Sequence, residues 1–215
     1  LKEIMDVNFK YWYFTAALSK EFCNKVISKN KLSKEKILAR VGSTYPSTSK
    51  LSKKNITDLK KTRNSKVVFL EEKEIFATLQ PYIFEANKNS GWNVQWDASE
   101  NVQFTEYRKN NHYTWHQDSC IEPYSDVTNP LRYGKIRKLS MTASLSDPSK
   151  YKGGELQFWL PNPTQKSGGK IVTCKEIGPQ GSIVVFPSYM WHRVKPVTKG
   201  VRHSLVMWNL GKPYV

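Results

Sequence analysis

His116 and Asp118 lie two residues apart, and His192 stands alone far downstream. This spacing constrains the chain more than any other feature. On an extended backbone the side chains of residues i and i+2 leave the same face, so His116 and Asp118 point together. His192 sits among β-prone residues and can meet that pair only if the fold lays a second strand beside the first. Two imidazoles and one carboxylate form the facial triad of a non-haem Fe(II) centre, which leaves coordination positions open. Ten residues after His192 comes Arg202, a cation suited to gripping a carboxylate bidentately. The spacing therefore asks for a metal with an acidic co-substrate beside it. A bidentate 2-oxoacid and dioxygen would take the open positions.

The remaining histidines fit this scheme less well. His112 and His116 could share a helix face as a zinc-like pair, but Tyr113, Thr114 and Trp115 between them read as extended and no H-E-x-x-H is present. His203 neighbours Arg202 and on a strand faces the other way, as a structural or surface residue. Trp115, Trp191, Phe186, Met207 and Trp208 are candidates for the apolar lining of a dry cavity.

Strands dominate the second half of the chain. Val102 to Tyr107 alternates, and Leu139–Leu145, Glu155–Leu160, Val172–Ile177, Ser182–Phe186, Trp191–Lys195 and Val201–Leu210 read as short strands with Gly, Pro and Asn between them. The first half is mixed. Asn8–Phe14 suits an opening strand, Ser19 an N-cap before a short helix carrying Phe22, Val26 and Ile27, and Lys66–Leu70 a second strand. Ile75, Phe76, Leu79, Ile83 and Ala86 keep a helical period over Glu71–Lys88, with Pro81 predicting a kink or two abutting helices. Ser43–Thr62 reads as a mobile polar insert. The expected fold is α+β in one domain spanning 1–215, with residues 1–92 as helical and strand support. Residues 93–215 are expected to form a β-sandwich or jelly roll.

Composition narrows the class. The chain has 215 residues, 39% of them hydrophobic, enough for a full core. No run approaches the ~18 apolar residues of a membrane span, and no signal peptide is visible. Three cysteines without a C-x-x-C pair read as free thiols in a reducing compartment, so the expected location is cytoplasmic. Lys and Arg number 34 against 18 acids, a net charge of +16 that attracts polyanions. Scattered lysines on a solvated surface account for the same number.

Four segments resemble the 2-oxoglutarate- and Fe(II)-dependent dioxygenases, and within them the prolyl 4-hydroxylase-like, PKHD-type branch of bacteria and phages. Tyr107-x-x-Asn110-x-x-Tyr113-x-x-His116-x-Asp118 resembles Y-x-x-G-x-x-Y-x-x-H-x-D. Leu139 to Pro148, followed by Gly153-Gly154-Glu155-Leu156, resembles the family strand, S-D-P turn and G-G-E-L. Gly181 to Ser188 resembles the strand before the second histidine. His192 to Arg202 resembles H-x-V-x-P-V-T-x-G-x-R. The likeness runs from about Val102 to Gly211. It implies a double-stranded β-helix with His116, Asp118 and His192 on Fe(II) and Arg202 on the distal carboxylate of 2-oxoglutarate. It further implies Tyr107 as a co-substrate contact, Ser204 and Trp208 beside the same pocket, and ascorbate as an accessory reductant. Ser144 stands where relatives often carry tyrosine, and Asn110 where they carry glycine.

The same resemblance bears on the reaction. Halogenating relatives lack the carboxylate that Asp118 supplies, so hydroxylation is implied. Nucleic-acid demethylases usually carry a second arginine six residues after the first, where this chain has Trp208. Peptidyl proline is the implied substrate, with a free amino acid, another protein side chain or a nucleic acid as alternatives. The segment 119–138 is expected to close over a peptide. A phage-infected cell is one setting in which such a chain would act.

Overall fold

The computed structural model describes residues 10–33, 36–40, 51–119, 122–162 and 168–214. The elements run β1 (Trp12–Phe14), α1 (Lys20–Asn30), β2 (Ile37–Leu38), α2 (Lys53–Thr62), β3 (Arg63–Asn64), β4 (Lys66–Leu70) and α3 (Lys73–Asn89). Strands follow almost without interruption: β5 (Ala98–Ser99), β6 (Val102–Tyr107), β7 (His112–His116), β8 (Ile136–Ser144), β9 (Tyr151–Gly153), β10 (Leu156–Pro161) and β11 (Gly169–Thr173). The last four are β12 (Ile183–Pro187), β13 (His192–Val194), β14 (Val197–Gly200) and β15 (Arg202–Gly211).

A large antiparallel sheet has the order β1-β12-β8-β15-β6-β4-β2, with β5 paired to β15. A smaller sheet has the order β11-β10-β13-β7-β3, and β9 pairs with β14. Successive strands thus cross between sheets, as in a jelly roll. Alternation along each strand decides which layer receives a side chain. Leu205 and Met207 of β15 and Ile183 and Val185 of β12 join Leu79, Ile83 and Ala86 of α3 and Cys23 and Val26 of α1 in the main core. Val184 and Phe186 point the other way, against Leu156, Phe158 and Leu160 of the smaller sheet. Helices therefore back one face of the large sheet, and the cleft between the sheets is left for chemistry.

The helices follow local rules. Ser19 caps α1 by accepting from the Phe22 amide. α3 is one continuous helix of 17 residues with Pro81 inside it, rather than two abutting helices. Pro81 and Ala77 are both exposed, so the hydrogen bond that proline cannot make is missing on the solvent side. Of the insert expected over 43–62, residues 53–62 form α2. Ser52 caps it through the Asn55 amide, and Leu59 is buried. Residues 43–50 of that insert lie outside the described residues. Of the opening strand expected over Asn8–Phe14, Trp12–Phe14 is strand and Asn8 and Phe9 lie outside the described residues, while the strand expected at Val172–Ile177 begins earlier, at Gly169, and ends at Thr173. Cys23 and Cys174 are buried free thiols. Among the described residues no helix is long and apolar enough to cross a membrane.

Candidate active site

β7 and β13 lie side by side, and His116 and His192 stand directly opposite each other in register. Asp118 follows the end of β7. Its amide and that of Ser119 both donate to the Ser188 carbonyl, at 2.9 and 3.0 Å. This turns the carboxylate back toward the imidazoles. His116 Nε2 lies 3.7 Å from Asp118 Oδ1, and His192 Nε2 lies 3.5 Å from Oδ2. One ligand atom from each of the three residues falls within 4.8 Å of the others.

A register shift between β7 and β13 places two residues of β7, Thr114 and Trp115, opposite the single Arg193. Such a bulge re-aims the side chains that flank it. Tyr113 and His116 therefore both face inward, and their rings stack with centroids 3.4 Å apart. Arg63 also lies over Tyr113, its guanidinium carbon 4.6 Å from the ring centre.

The protonation pattern suits a metal. Nδ1 of His116 donates to the Thr114 carbonyl and Nδ1 of His192 to the Met190 carbonyl, each at 2.8 Å. A carbonyl only accepts, so Nδ1 carries a proton in each ring and Nε2 is the atom turned toward Asp118. Burial, followed by the neighbouring His192, pushes His116 down to about 3, which keeps it neutral. Burial alone would raise Asp118, but His192, His116 and Arg137 outweigh it and hold its carboxyl below the usual range. The Ser140 hydroxyl donates to Asp118 Oδ2 at 2.8 Å and is itself 2.8 Å from the Ser188 hydroxyl. Two imidazoles that each turn Nε2 inward and an oriented carboxylate fit a divalent first-row cation.

The adjoining pocket is built for an anion. Arg202, Ser204 and Trp208 project from alternate positions of β15 into the same pocket as the three candidate ligands, and Tyr107 enters it from β6. Arg202 is 3% exposed, yet no carboxylate pairs with it among the described residues. Its nearest polar contact is the Ser204 hydroxyl at 3.5 Å, and its guanidinium carbon lies 5.5 Å from the Tyr107 ring centre. A buried cation left this way is costly unless an anion joins it. Gly154, at φ +70°, explains the double glycine: a Cβ there would lie 2.9 Å from Arg202 Cδ. Leu156, Phe186 and Val194 supply apolar walls.

The expected residues thus converge, while some of the expected lining does not. Phe186 and Trp208 do line the pocket, but Met207 lies in the main core. Trp191 is 43% exposed, and Trp115 stacks under Arg193 at 4.6 Å. His192 and His116 point inward, so the tryptophan that precedes each of them in sequence points outward. His203 faces away, stacked on Phe104 and hydrogen-bonded to Ser146. His112 contacts backbone carbonyls of Asn110 and Lys61 and takes no part in the cluster.

Other residues at the site carried no signal in the sequence. They are Arg63, Ser140, and a buried ion cluster in which Glu100 accepts from Arg137 at 2.8 and 2.7 Å and from Arg132 at 2.6 Å. Arg137 in turn lies 3.8 Å over the Trp208 ring. Through Arg132 and the Tyr124 hydroxyl, the same Glu100 ties the segment after Asp118 to the sheet. Cys120 and Ile121 of that segment lie outside the described residues.

A jelly roll with two imidazoles and a carboxylate at one end, and an unpaired buried arginine beside them, offers residues that could hold one metal ion and an acidic ligand next to it. Comparison with known sequences agrees. The profile of the 2OG-Fe(II) oxygenase superfamily matches residues 102–209, and the chain belongs to that superfamily. It is similar to a PKHD-type hydroxylase of Synechococcus sp. (strain CC9902), 38% identical over 96 residues, which are 45% of this chain and 35% of that protein. It is likewise similar to the PKHD-type hydroxylase YbiX of Escherichia coli, 36% identical over 105 residues, 49% of this chain and 40% of the relative. The matched region thus spans two fifths or less of each of these relatives. A prolyl-4-hydroxylase from Pseudomonas putida shares the fold, with TM-score 0.65 and 16% identity over 93% of this chain and 92% of that one. So does a viral collagen prolyl hydroxylase from Paramecium bursaria Chlorella virus-1, with TM-score 0.60 and 18% identity over 94% and 97%.

Proposed function

We propose that the protein is an Fe(II)- and 2-oxoglutarate-dependent hydroxylase whose substrate is a proline-containing peptide or protein. The observation that carries the co-substrate reading is Arg202, a buried guanidinium with no acid of its own beside a ready triad. His116, Asp118 and His192 would hold the iron, which supplies activation of dioxygen at the expense of the 2-oxoacid, with succinate and carbon dioxide released.

The chain's own residues set the conditions. Arg202 fixes the far carboxylate of 2-oxoglutarate, with the Ser204 and Tyr107 hydroxyls as polar partners, so the oxoacid end is oriented toward the triad. Ser140 holds one carboxylate oxygen of Asp118 and leaves Oδ1 as the better donor atom. The stacked Tyr113 keeps His116 from rotating, and Phe186, packed on His192 with ring centres 4.7 Å apart, excludes water.

Peptidyl proline is favoured by the named relatives, of which two are prolyl hydroxylases. A third similar structure, from Trichoplax adhaerens, is a prolyl hydroxylase in complex with a hypoxia-inducible-factor peptide, with TM-score 0.62 and 15% identity over 95% of this chain and 87% of that one. The test is incubation of the Fe(II)-loaded protein with 2-oxoglutarate, ascorbate, oxygen and a pool of proline-containing peptides. Mass spectrometry should find one added oxygen atom on proline. Succinate formation without any modified proline in the pool would remove this substrate class while leaving the oxygenase.

A further inference from the structure

The excess positive charge plays no part in the chemistry above. The fold gathers some of it along one edge, and contacts between consecutive elements trace that edge. His112 at the start of β7 lies between the Lys61 carbonyl of α2, at 3.2 Å, and the Asn110 carbonyl of the β6–β7 turn, at 3.1 Å. The Asn110 amide donates to the Val197 carbonyl of β14 at 2.8 Å, and the Val197 amide returns a bond to Asn111 at 3.0 Å. β14 pairs with β9, with Lys199 directly opposite Lys152.

This path carries Lys53, Lys54 and Lys60 on α2, Lys109 on the turn, and Lys152 and Lys199 on the strand pair. All six are exposed, and none has an acidic partner among the described residues. The few acids along the edge are already engaged: Asp58 with Lys61, Glu106 with Arg108 and Glu155 with Lys195.

Like charges placed directly opposite on paired strands repel and destabilise the pair. The Lys152–Lys199 register is nevertheless held by tight backbone contact. Gly153, at φ +77°, passes so close to β14 that a Cβ there would lie 2.4 Å from the Pro196 carbonyl oxygen. A backbone this constrained presents its two lysines together, and an anion bridging them would relieve the repulsion. Among the described residues no large aromatic side chain is exposed along this edge, which disfavours the stacking platforms that hold single strands. Rows of lysine without aromatic rings suit phosphate contacts that position a duplex without reading its bases.

We propose that this edge binds the phosphate backbone of a nucleic-acid duplex, independently of sequence. The edge meets β7 at His112, and the metal site lies at the other end of the strand, at His116. At ~3.4 Å per residue, four residues separate them by roughly 14 Å. The duplex would therefore anchor the enzyme and would not enter the reaction cavity.

The test is binding of the full chain to a mixed-sequence DNA duplex of two helical turns, followed by fluorescence anisotropy across a salt series. Each lysine–phosphate contact contributes ~0.9 to the slope of log affinity against log salt. The triple variant Lys109→Gln/Lys152→Gln/Lys199→Gln should lower the slope by ~2.7. The triple variant Lys25→Gln/Lys73→Gln/Lys88→Gln, with the same net charge but altered on α1 and α3, should leave it nearly unchanged. Equal losses in both variants would show that net charge binds rather than this edge, and would overturn the proposal. So would an unaltered slope in the first variant, or a poly-glutamate peptide of matched charge binding as tightly as the duplex. Succinate formation should be the same in both variants, so a failure here leaves the oxygenase assignment intact.

Discussion

Replacing Arg202 with methionine should make the ligand-free protein more stable while removing its response to 2-oxoglutarate. The guanidinium is 3% exposed and has no carboxylate partner among the described residues. Burying an ion in this way costs several kcal/mol even after relaxation. The compensating contacts are weak: a hydroxyl at 3.5 Å and a ring centre at 5.5 Å, together worth about 1 kcal/mol. Methionine keeps the aliphatic stem that packs on Gly154 and loses the charge. A net gain of ~2 kcal/mol is expected, or roughly 4–8 °C in Tm for a domain of this size. In the parent protein, 2-oxoglutarate at a hundredfold excess over Kd should add ~2.7 kcal/mol, and in the variant nothing. Differential scanning calorimetry with Fe(II) under nitrogen, with and without the oxoacid, measures both. A variant less stable than its parent that still shifts with 2-oxoglutarate would refute the reasoning.

Three further outcomes follow from the same geometry. Asp118→Ala or His192→Ala should abolish iron retention, measured by metal analysis after gel filtration, while far-ultraviolet circular dichroism stays unchanged. Glu106 is buried against Lys36 at 2.7 Å, so Glu106→Gln leaves a buried ammonium unpaired and should cost ~3–5 kcal/mol in urea unfolding. Burial alone would raise the Glu106 carboxyl. Its bonds to His203, Lys36 and Arg108 instead hold it well below the usual carboxylate range. Its stabilising contribution is therefore present above the unfolded carboxylate pKa and lost as pH falls through the lower folded value, and the glutamine variant should show a shallower acid-unfolding profile.

The sequence shows the site more plainly than it shows the site's supports. His116, Asp118, His192 and Arg202 stand out because the H-x-D spacing and the arginine ten residues after His192 agree with the motifs of the resembled family, although the turn that brings Asp118 back to the imidazoles is made by contacts to Ser188. Strand alternation, applied from His192, would have placed Trp191 outward, and neglecting it put an exposed ring in the expected lining. Tyr113 was not legible as an inward residue because a bulge at Thr114–Trp115 breaks the period on which that inference depends. α2 was hidden by its lysines. Only Ile56 and Leu59 mark its apolar side, and composition outweighed two residues. Ser140, Arg63 and the Glu100–Arg137 pair owe their roles to partners distant in sequence, which no local pattern reveals.

The central claim is that the triad and Arg202 together turn over 2-oxoglutarate. It is tested most directly by reconstituting anaerobically purified protein with Fe(II), admitting oxygen, and measuring 2-oxoglutarate consumed against succinate formed, beside an Arg202→Ala variant. The account predicts Fe(II)-dependent succinate formation in step with 2-oxoglutarate loss, collapsing in the variant. Absence of turnover in protein that also fails to bind iron would contradict it.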